Sequence, residues 1–400
     1  MCGSHLQLGR YRRVHRQVFV SCFLSISQAH EGKLNATSIL LEGSRTSAGG
    51  ARIEVDLSYL QEHKISYSLF SGQIVAIEGL NTSGRKLVAH QIHEGLAAPM
   101  ISTTVADNLK MMTVCGPYTT SDNLDYEPLV DLINVVHREK PDAVILMGPF
   151  VDMNHEALQS GGATLQFEGG DEILVSYETF FANKISALLE DLYAADPDLT
   201  TQFVLVPSLR DATSEWVYPQ APLADRLSHP ATSSIPGSEG IEIGTLGLRN
   251  VGANRVHCVS NPCTLLINNV SVAVTSEDVI CHIAADETNG NLEAGSRMMH
   301  LAQHMVQQRS FYPIFPAHTG MNVDLKKMPQ YSMPCQPDLL VVPSKLRSFA
   351  SERAKTVILN PGQLTKGTTG GTYAMVEVRE ASGDEDRDLT KRTRIEVKNI

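Results

Sequence analysis

Ala143-Val144-Ile145-Leu146-Met147-Gly148-Pro149-Phe150-Val151-Asp152-Met153-Asn154-His155 decides how this chain folds. Its first five residues are all apolar and run straight into Gly148-Pro149. That pattern belongs to a strand buried on both faces of an α/β sheet and ended by a tight turn. Ligands of open α/β sheets bind just past the carboxyl ends of such strands, so Gly148 to His155 marks the candidate site. A pair of metal ions about 3.5–4 Å apart would need a bridging carboxylate at this turn. The chain instead offers Gly148-Pro149-Phe150-Val151-Asp152, and Pro149 brings neither a ligand nor a backbone N–H.

Upstream, Glu127 to Glu139 puts Leu129, Leu132, Ile133 and Val136 on one helical face, with Ser121 or Asp122 as the expected cap and Pro141 as the stop. Met111 to Cys115 is another apolar run. Strand, helix and strand make one βαβ unit, which implies parallel pairing. Downstream, Asp171 to Tyr193 spaces Leu174, Tyr177, Phe181, Ile185, Leu188 and Leu192 as one amphipathic helix leading to the strand Phe203 to Val206. Pro219 to Asn254 is rich in Pro, Ser and Gly and reads as a surface excursion. Thr264 to Ile267 and Val270 to Val274 flank Asn268-Asn269, residues that tolerate positive φ, and predict a hairpin. A helix over Arg297 to Arg309 stacks Met298, Leu301, Ala302, Met305 and Val306. The last expected strands are Leu339 to Val342, Thr356 to Leu359, Thr372 to Val378 and Thr393 to Val397, with acidic Asp384 to Asp388 as a hairpin tip.

Toward the N-terminus the period changes to two. Val18 to Ile26, Ser38 to Glu42, Arg52 to Leu57, Gly72 to Gly79 and Lys86 to Ile92 are five short β-patterned runs, with a helical turn near Leu57 to Glu62. They predict a small Greek-key barrel of the OB type. Such barrels often bind oligonucleotides through basic and aromatic side chains on one face. Here Tyr59, Tyr67 and Phe70 fall in a connection, which favours packing or docking over base stacking; Arg85 and Lys86 are the residues available for nucleic-acid contact. The expected organisation is a basic lead over 1–17, an OB-type barrel over 18–96, a polar linker over 97–110 and an α/β domain over 111–400 with a flexible insertion at 219–254.

At 400 residues, 42% hydrophobic and 19% charged, the composition is that of an ordinary globular chain of two domains. A net charge of -11 excludes a broad nonspecific nucleic-acid coat, because phosphate binding rests on clustered Lys and Arg. The seven cysteines form no Cys-x-x-Cys pair and read as reduced thiols. No apolar run approaches the roughly 18 residues a membrane span needs. Arg10, Arg12, Arg13 and Arg16 give the lead its charge; it reads as a solvated lead-in or as a local nuclear-targeting or phosphate patch.

A working two-metal phosphoesterase takes Asp, His and Asn ligands from the loops after successive strands, since the ions are divalent and their shared water must be deprotonated near neutrality. After the first strand stands Gly116-Pro117-Tyr118, with neither ligand. After the second, Pro149 replaces the bridging acid and Asp152 remains. After the third comes Pro207-Ser208-Leu209-Arg210-Asp211, and after Val342 comes Pro343-Ser344-Lys345-Leu346 without a histidine. Gly116, Tyr118, Gly148, Pro149, Asp152, Ser208, Arg210, Asp211, Ser344 and Lys345 therefore outline a vestigial crevice, with no catalytic group, no metal and no cofactor. His155 reads as a surface polar residue, His300 and His304 as a solvent-facing pair, and Lys366 to Gly371 as a β-turn and not a nucleotide loop.

Several of these segments together resemble one family. Cys115 to Asp122, Val144 to Asp152, Val206 to Asp211, Gln308 to Pro313, Asn360 to Gly367 and, in the barrel, Gly79 to Leu87 are similar to the B subunits of eukaryotic DNA polymerase alpha-primase. The B subunits of polymerases delta and epsilon share the architecture; Gly116 to Asp122 favours alpha. The resemblance implies an OB domain packed on a calcineurin-like phosphoesterase fold, an α/β sandwich with a degenerate metal site. It implies a noncatalytic scaffold that clasps the zinc-bearing C-terminal domain of the catalytic polymerase subunit, joins the primase subunits through that complex and works in the nucleus. DNA contact is expected to be weak or indirect, and membrane contact absent. The family's N-terminal helical domain and the linker after it are expected to be missing. Two alternatives stand beside this reading. One is a divergent metal-dependent phosphoesterase resting on Asp152, His155 and Asp211; the other is a single-strand binder acting through Arg85 and Lys86.

Overall fold

In a computed structural model of the chain, residues 17–26, 34–82, 84–101, 108–166, 172–223, 246–251, 254–295, 297–380 and 389–400 are described. The basic lead, Asp384 to Asp388 and most of the 219–254 excursion lie outside them. The chain divides into two units, one drawn from residues 1–100, 279–321 and 332–336, the other from 101–278, 322–331 and 337–400.

In the first unit, Gln17–Ile26, Ile39–Gly43, Arg52–Asp56, Lys86–His93 and Ile74–Leu80 pair in that order, and the last pairs back to the first. These are the five β-patterned runs of the sequence. Ile39, Leu41, Val55, Val75, Ile77, Leu87 and Ala89 alternate inward and share a core with Leu57 and Leu60. Gly79 sits at a register shift in the Ile74–Leu80 pairing, where a Cβ would lie 2.1 Å from the Val88 carbonyl oxygen. The expected boundary, with everything after 111 in one domain, is not what forms. Strand Thr288–Gly290 pairs with Tyr67–Leu69, Thr288 Oγ1 donates to the Leu34 carbonyl at 2.5 Å, and residues 279–321 therefore return to the first unit. Strands far apart in sequence pair through backbone groups, which leave no local pattern to read.

In the second unit a six-stranded sheet runs Val256–Cys258, Gln202–Val206, Ala143–Met147, Leu109–Cys115, Thr372–Val378, Thr393–Asn399. The first four strands are parallel and the last two antiparallel. A second sheet runs Cys263–Ile267, Val270–Val274, Leu339–Val341, Thr356–Asn360, Phe349–Arg353. Alternation within the Ala143–Met147 strand explains its unbroken apolar sequence. Val144 and Leu146 face a core shared with the helix Glu127–Glu139, while Ala143, Ile145 and Met147 face one shared with Val272, Val274, Leu339 and Leu359 of the second sheet. Asn268 and Asn269 both take positive φ in the expected hairpin.

Two local expectations are corrected. Asp171 to Tyr193 is not one helix. Glu172–Leu174 is a strand, Ser176 caps the helix Tyr177–Phe181 by accepting from the Thr179 N–H, and a π-helical turn at Ala182–Ser186 precedes Ala187–Ala195. Leu174 is consequently exposed. Neither Ser121 nor Asp122 caps the Glu127–Glu139 helix; Tyr126 does so in a left-handed conformation without a side-chain cap.

Replacing Gly79 by Ala drives a methyl group into the Val88 carbonyl, and is expected to cost the first unit about 1–3 kcal/mol. Gly161→Ala, with nothing within 4 Å of the added carbon, is expected to change stability by less than about 0.5 kcal/mol. Urea unfolding followed by circular dichroism compares the two.

Candidate functional site

Gly116, Gly148, Ser208 and Ser344 all fall in the second unit just past the carboxyl ends of sheet strands, as the sequence predicts. Strands of neighbouring register bring the first three turns together. Gly116 N–H donates to the Met147 carbonyl at 2.9 Å, and Gly148 N–H to the Val206 carbonyl at 2.8 Å. Glycine is required at both places: a Cβ on Gly116 would lie 2.2 Å from the Pro149 carbonyl oxygen, and one on Gly148 2.2 Å from Asp211 Oδ2. Tyr118 is buried, stacks on Phe150 with ring centroids 5.2 Å apart, and donates its hydroxyl to the Met147 carbonyl at 3.0 Å.

Asp211 is the centre of the arrangement. Its Oδ2 accepts the Ser208 N–H at 2.8 Å, and its Oδ1 accepts the Val151 N–H at 3.1 Å and the Phe150 N–H. The side chain is fully buried, and burial raises its carboxyl to about 7 although those three N–H groups pull the other way. Asp152 pairs as a short antiparallel bridge with Asp211, and Ala212 N–H donates to the Val151 carbonyl at 2.9 Å. That bridge aims Arg210 at Asp152. Nε donates to Oδ1 at 3.1 Å and Nη2 to Oδ2, a two-point guanidinium–carboxylate pair. Arg210 N–H in turn donates to Ser208 Oγ at 3.3 Å.

Lys345 and Ser344 enter differently. The Lys345 side chain is exposed, and only its main-chain N–H binds here, to Asp278 Oδ2 at 2.9 Å. Ser344 N–H donates to Asn360 Oδ1 at 2.9 Å, and Gly362 N–H to the same oxygen at 2.9 Å. Arg85 is exposed on the barrel, and Lys86 pairs with Asp56 at 3.2 Å; both belong to the first unit.

Sequence reasoning missed four contributors. Glu277 accepts the Leu209 N–H at 3.1 Å, and burial raises its carboxyl. Asn261 accepts from Thr275 Oγ1 at 3.1 Å and the Ser276 N–H at 3.2 Å. Tyr126 donates to the Phe150 carbonyl at 2.8 Å, and Asn360 organises the loop after Leu359. Glu277, Asn261 and Tyr126 sit in no motif, while Asn360 opens the Asn360 to Gly367 segment, whose Asn360-Pro361-Gly362 signals only a turn. His155, expected at the surface, is buried: its Nδ1 accepts the Ala157 N–H at 3.2 Å, capping the helix Glu156–Gly161, and its Nε2 meets the Thr120 carbonyl at 2.9 Å. A local cap is a commoner fate for such a residue than metal ligation. Among the described residues, no three His, Cys, Asp or Glu side chains come together as a metal could require.

Two family models match this chain. Residues 111–351, more than half of it, match the B subunit of DNA polymerase alpha/epsilon, and residues 14–95 match the OB domain of the DNA polymerase alpha B subunit. The chain belongs to the DNA polymerase alpha/epsilon B-subunit family. Curated relatives from this family are similar over most of the chain. The DNA polymerase alpha B subunit of Mus musculus is 38% identical over 353 residues, 87% of this chain and 52% of that protein. Its Schizosaccharomyces pombe counterpart is 30% identical over 365 residues, 87% and 57%. That of Saccharomyces cerevisiae is 26% identical over 404 residues, 88% and 52%. The chain thus spans about half the length of the B-subunit relatives it matches. A solved structure of vacuolar protein sorting 29 from Cryptosporidium parvum aligns at a TM-score of 0.29 and 10% identity, over 74% of this chain and 98% of that one, too loosely to carry an argument.

Trp216, the only tryptophan, donates its indole N–H to the Asp211 carbonyl at 3.2 Å and so reports on this crevice. Asp211→Ala strands three buried N–H donors and is expected to cost about 3 kcal/mol or more, with Asp211→Asn costing less because its amide oxygen still accepts. Arg210→Ala leaves Asp152, 8% exposed, without its partner, and is expected to cost about 1–3 kcal/mol. Urea midpoints followed by Trp216 fluorescence should rank Asp211→Ala as the most damaging.

Proposed function

We propose that this chain acts as a noncatalytic accessory subunit of a DNA polymerase alpha-primase assembly. In this reading it is a scaffold that binds the C-terminal domain of the catalytic polymerase subunit and meets the primase subunits through that complex. It works in the nucleus during initiation of replication, with DNA contact weak or indirect. Family membership supports the reading, and every relative named above is a B subunit of DNA polymerase alpha. None of the described helices is long and apolar enough to cross a membrane.

The observation that carries the noncatalytic part is the mutual satisfaction of the crevice's polar groups. Two mixed sheets sharing one core, with helices on the outer face of the six-stranded sheet, support a calcineurin-like phosphoesterase fold for the second unit. Such a fold implies two metal ions at the strand ends, and the residues present do not fit them. Pro149 stands where the bridging carboxylate would be, Asp152 is engaged by Arg210, and Asp211 spends both oxygens on backbone N–H groups. Guanidinium and main-chain donors satisfy the carboxylates that a metal would otherwise need. A crevice so arranged has neither a Lewis acid site nor a free general base to offer a phosphodiester. What remains for such a surface is to hold another protein.

Co-expression of the full chain with the C-terminal region of a polymerase alpha catalytic subunit should yield one heterodimer on gel filtration, and two separately eluting species would reject the scaffold reading. The same region from a polymerase epsilon catalytic subunit should bind more weakly. Manganese-dependent hydrolysis of a generic phosphodiester should stay at the level of the protein-free control, before and after Asp152→Ala.

A further inference from the structure

The first unit contains a buried polar cluster that the scaffold role does not use. We propose that Glu94 and His304 share one proton there, Glu94 holding it and His304 staying neutral as the Nε2–H tautomer, so that ionisation of Glu94 loosens the unit.

The hydrogen bonds fix the tautomer. Glu287, with a fully buried side chain, accepts at Oε2 from Arg297 Nε at 2.7 Å and Asn289 Nδ2 at 2.8 Å, which marks it as an anion. Ser68 Oγ donates to Glu287 Oε1 at 2.6 Å. Its single proton is then spent, so at 2.7 Å from His304 Nε2 the hydroxyl can only accept, and Nε2 carries the hydrogen. Gln73 takes the Phe70 N–H at its Oε1, 3.3 Å, which turns its amide nitrogen toward His304 Nδ1, also 3.3 Å away. An amide nitrogen only donates, so Nδ1 offers a lone pair and the ring is neutral. Ser68, Gln73 and His304 are all fully buried, and the Phe70 ring meets the imidazole edge-on at 5.1 Å. The sequence expectation of a solvent-facing His300 and His304 therefore fails for His304.

Glu94 closes the cluster from the end of the last barrel strand. Its Oε1 accepts the Ser68 N–H at 3.3 Å, and its Oε2 lies 3.9 Å from His304 Nδ1. An ionised Glu94 would set a second carboxylate against Glu287 and against that lone pair. The other charged or titratable neighbours do not offset it: Arg297 is on Glu287, Asp286 accepts the Ser71 N–H at 2.7 Å, and His300 shares the helix of His304 and opposes its protonation. Burial, with Glu287 adding to it, raises the Glu94 carboxyl to about 7, and burial holds the His304 imidazole down to about 3.

The signs follow from linkage. A carboxyl raised from 4.5 to about 7 makes the folded unit bind the extra proton, so its contribution to stability falls as pH rises through that window. An imidazole lowered from 6.5 to about 3 makes the unfolded chain bind it, so its contribution rises with pH between those values. Between 4.5 and 6.5 the two cancel: folding moves one proton from imidazole to carboxyl with no net exchange.

Carboxyl-labelled glutamate and imidazole-labelled histidine in the full chain test this by NMR, with Glu94→Gln and a His304→Gln spectrum for assignment. The Glu94 carbon should titrate near pH 7 and His304 should show the Nε2–H tautomer at pH 6; a Glu94 midpoint below 5, or an imidazolium at pH 6, overturns the proposal. In Glu94→Gln the hidden histidine slope should emerge, the folding constant of the first unit rising about tenfold per pH unit from 4.5 to 6.5. A pH-independent folding constant in that variant overturns it too. Should His304→Gln fail to fold, the wild-type spectra and Glu94→Gln still decide.

Discussion

A carboxylate taken out of water must be met by donors, and in the second unit that requirement falls on Asp211. Its two oxygens gather the N–H groups of Ser208, Phe150 and Val151, which come from the turns after two parallel strands. One side chain thus locks the geometry of both turns. An unmet buried polar group costs about 1–3 kcal/mol, so three N–H groups facing one carboxylate make a strongly preferred arrangement. The bridge between Asp152 and Asp211 then delivers Arg210 to Asp152, and the crevice is closed electrostatically from within.

The sheets make this possible because they are buried on both faces. Val144 and Leu146 meet helices while Ile145 and Met147 meet the second sheet, so the strand ends cannot shift to open a wider crevice without disturbing two cores at once. Gly148 is the compensating device. Asp211 Oδ2 occupies the space where a Cβ would stand, which ties the glycine to the carboxylate that closes the turn. Turn geometry of this kind is held by the backbone and side-chain donors that meet the two carboxylates.

Much of this was legible in the sequence because it is local. Period-two runs gave the five barrel strands, and the apolar block at Ala143 gave a central parallel strand with its turn. The strand-end positions Gly116, Gly148, Asp152, Ser208, Arg210 and Asp211 were found for the same reason. What escaped depends on partners distant in sequence. The Arg210 to Asp152 pair spans a separation of 58, and Leu209 to Glu277 one of 68. For Lys345 the sequence says where the backbone lies and not where the side chain goes, and that side chain is exposed. The long helix over Asp171 to Tyr193 failed because Ser176 offers a cap inside the apolar pattern, and the cap decided the start.

His304 shows the same limit from the other side. Helical spacing with His300 gives two polar positions one turn apart, and the commonest place for such a pair is solvent. The helix instead turns one of them into the first unit, where Ser68 and Gln73, distant in sequence, complete its hydrogen bonds and Glu94 lies 3.9 Å away. Both clusters solve one problem with different chemistry. Asp211 is met by backbone N–H groups, whereas Glu287 is met by a serine, an amide and an arginine, with a neutral imidazole passing the chain of donors onward. Networks buried with their polar groups met in this way fix which residues can meet.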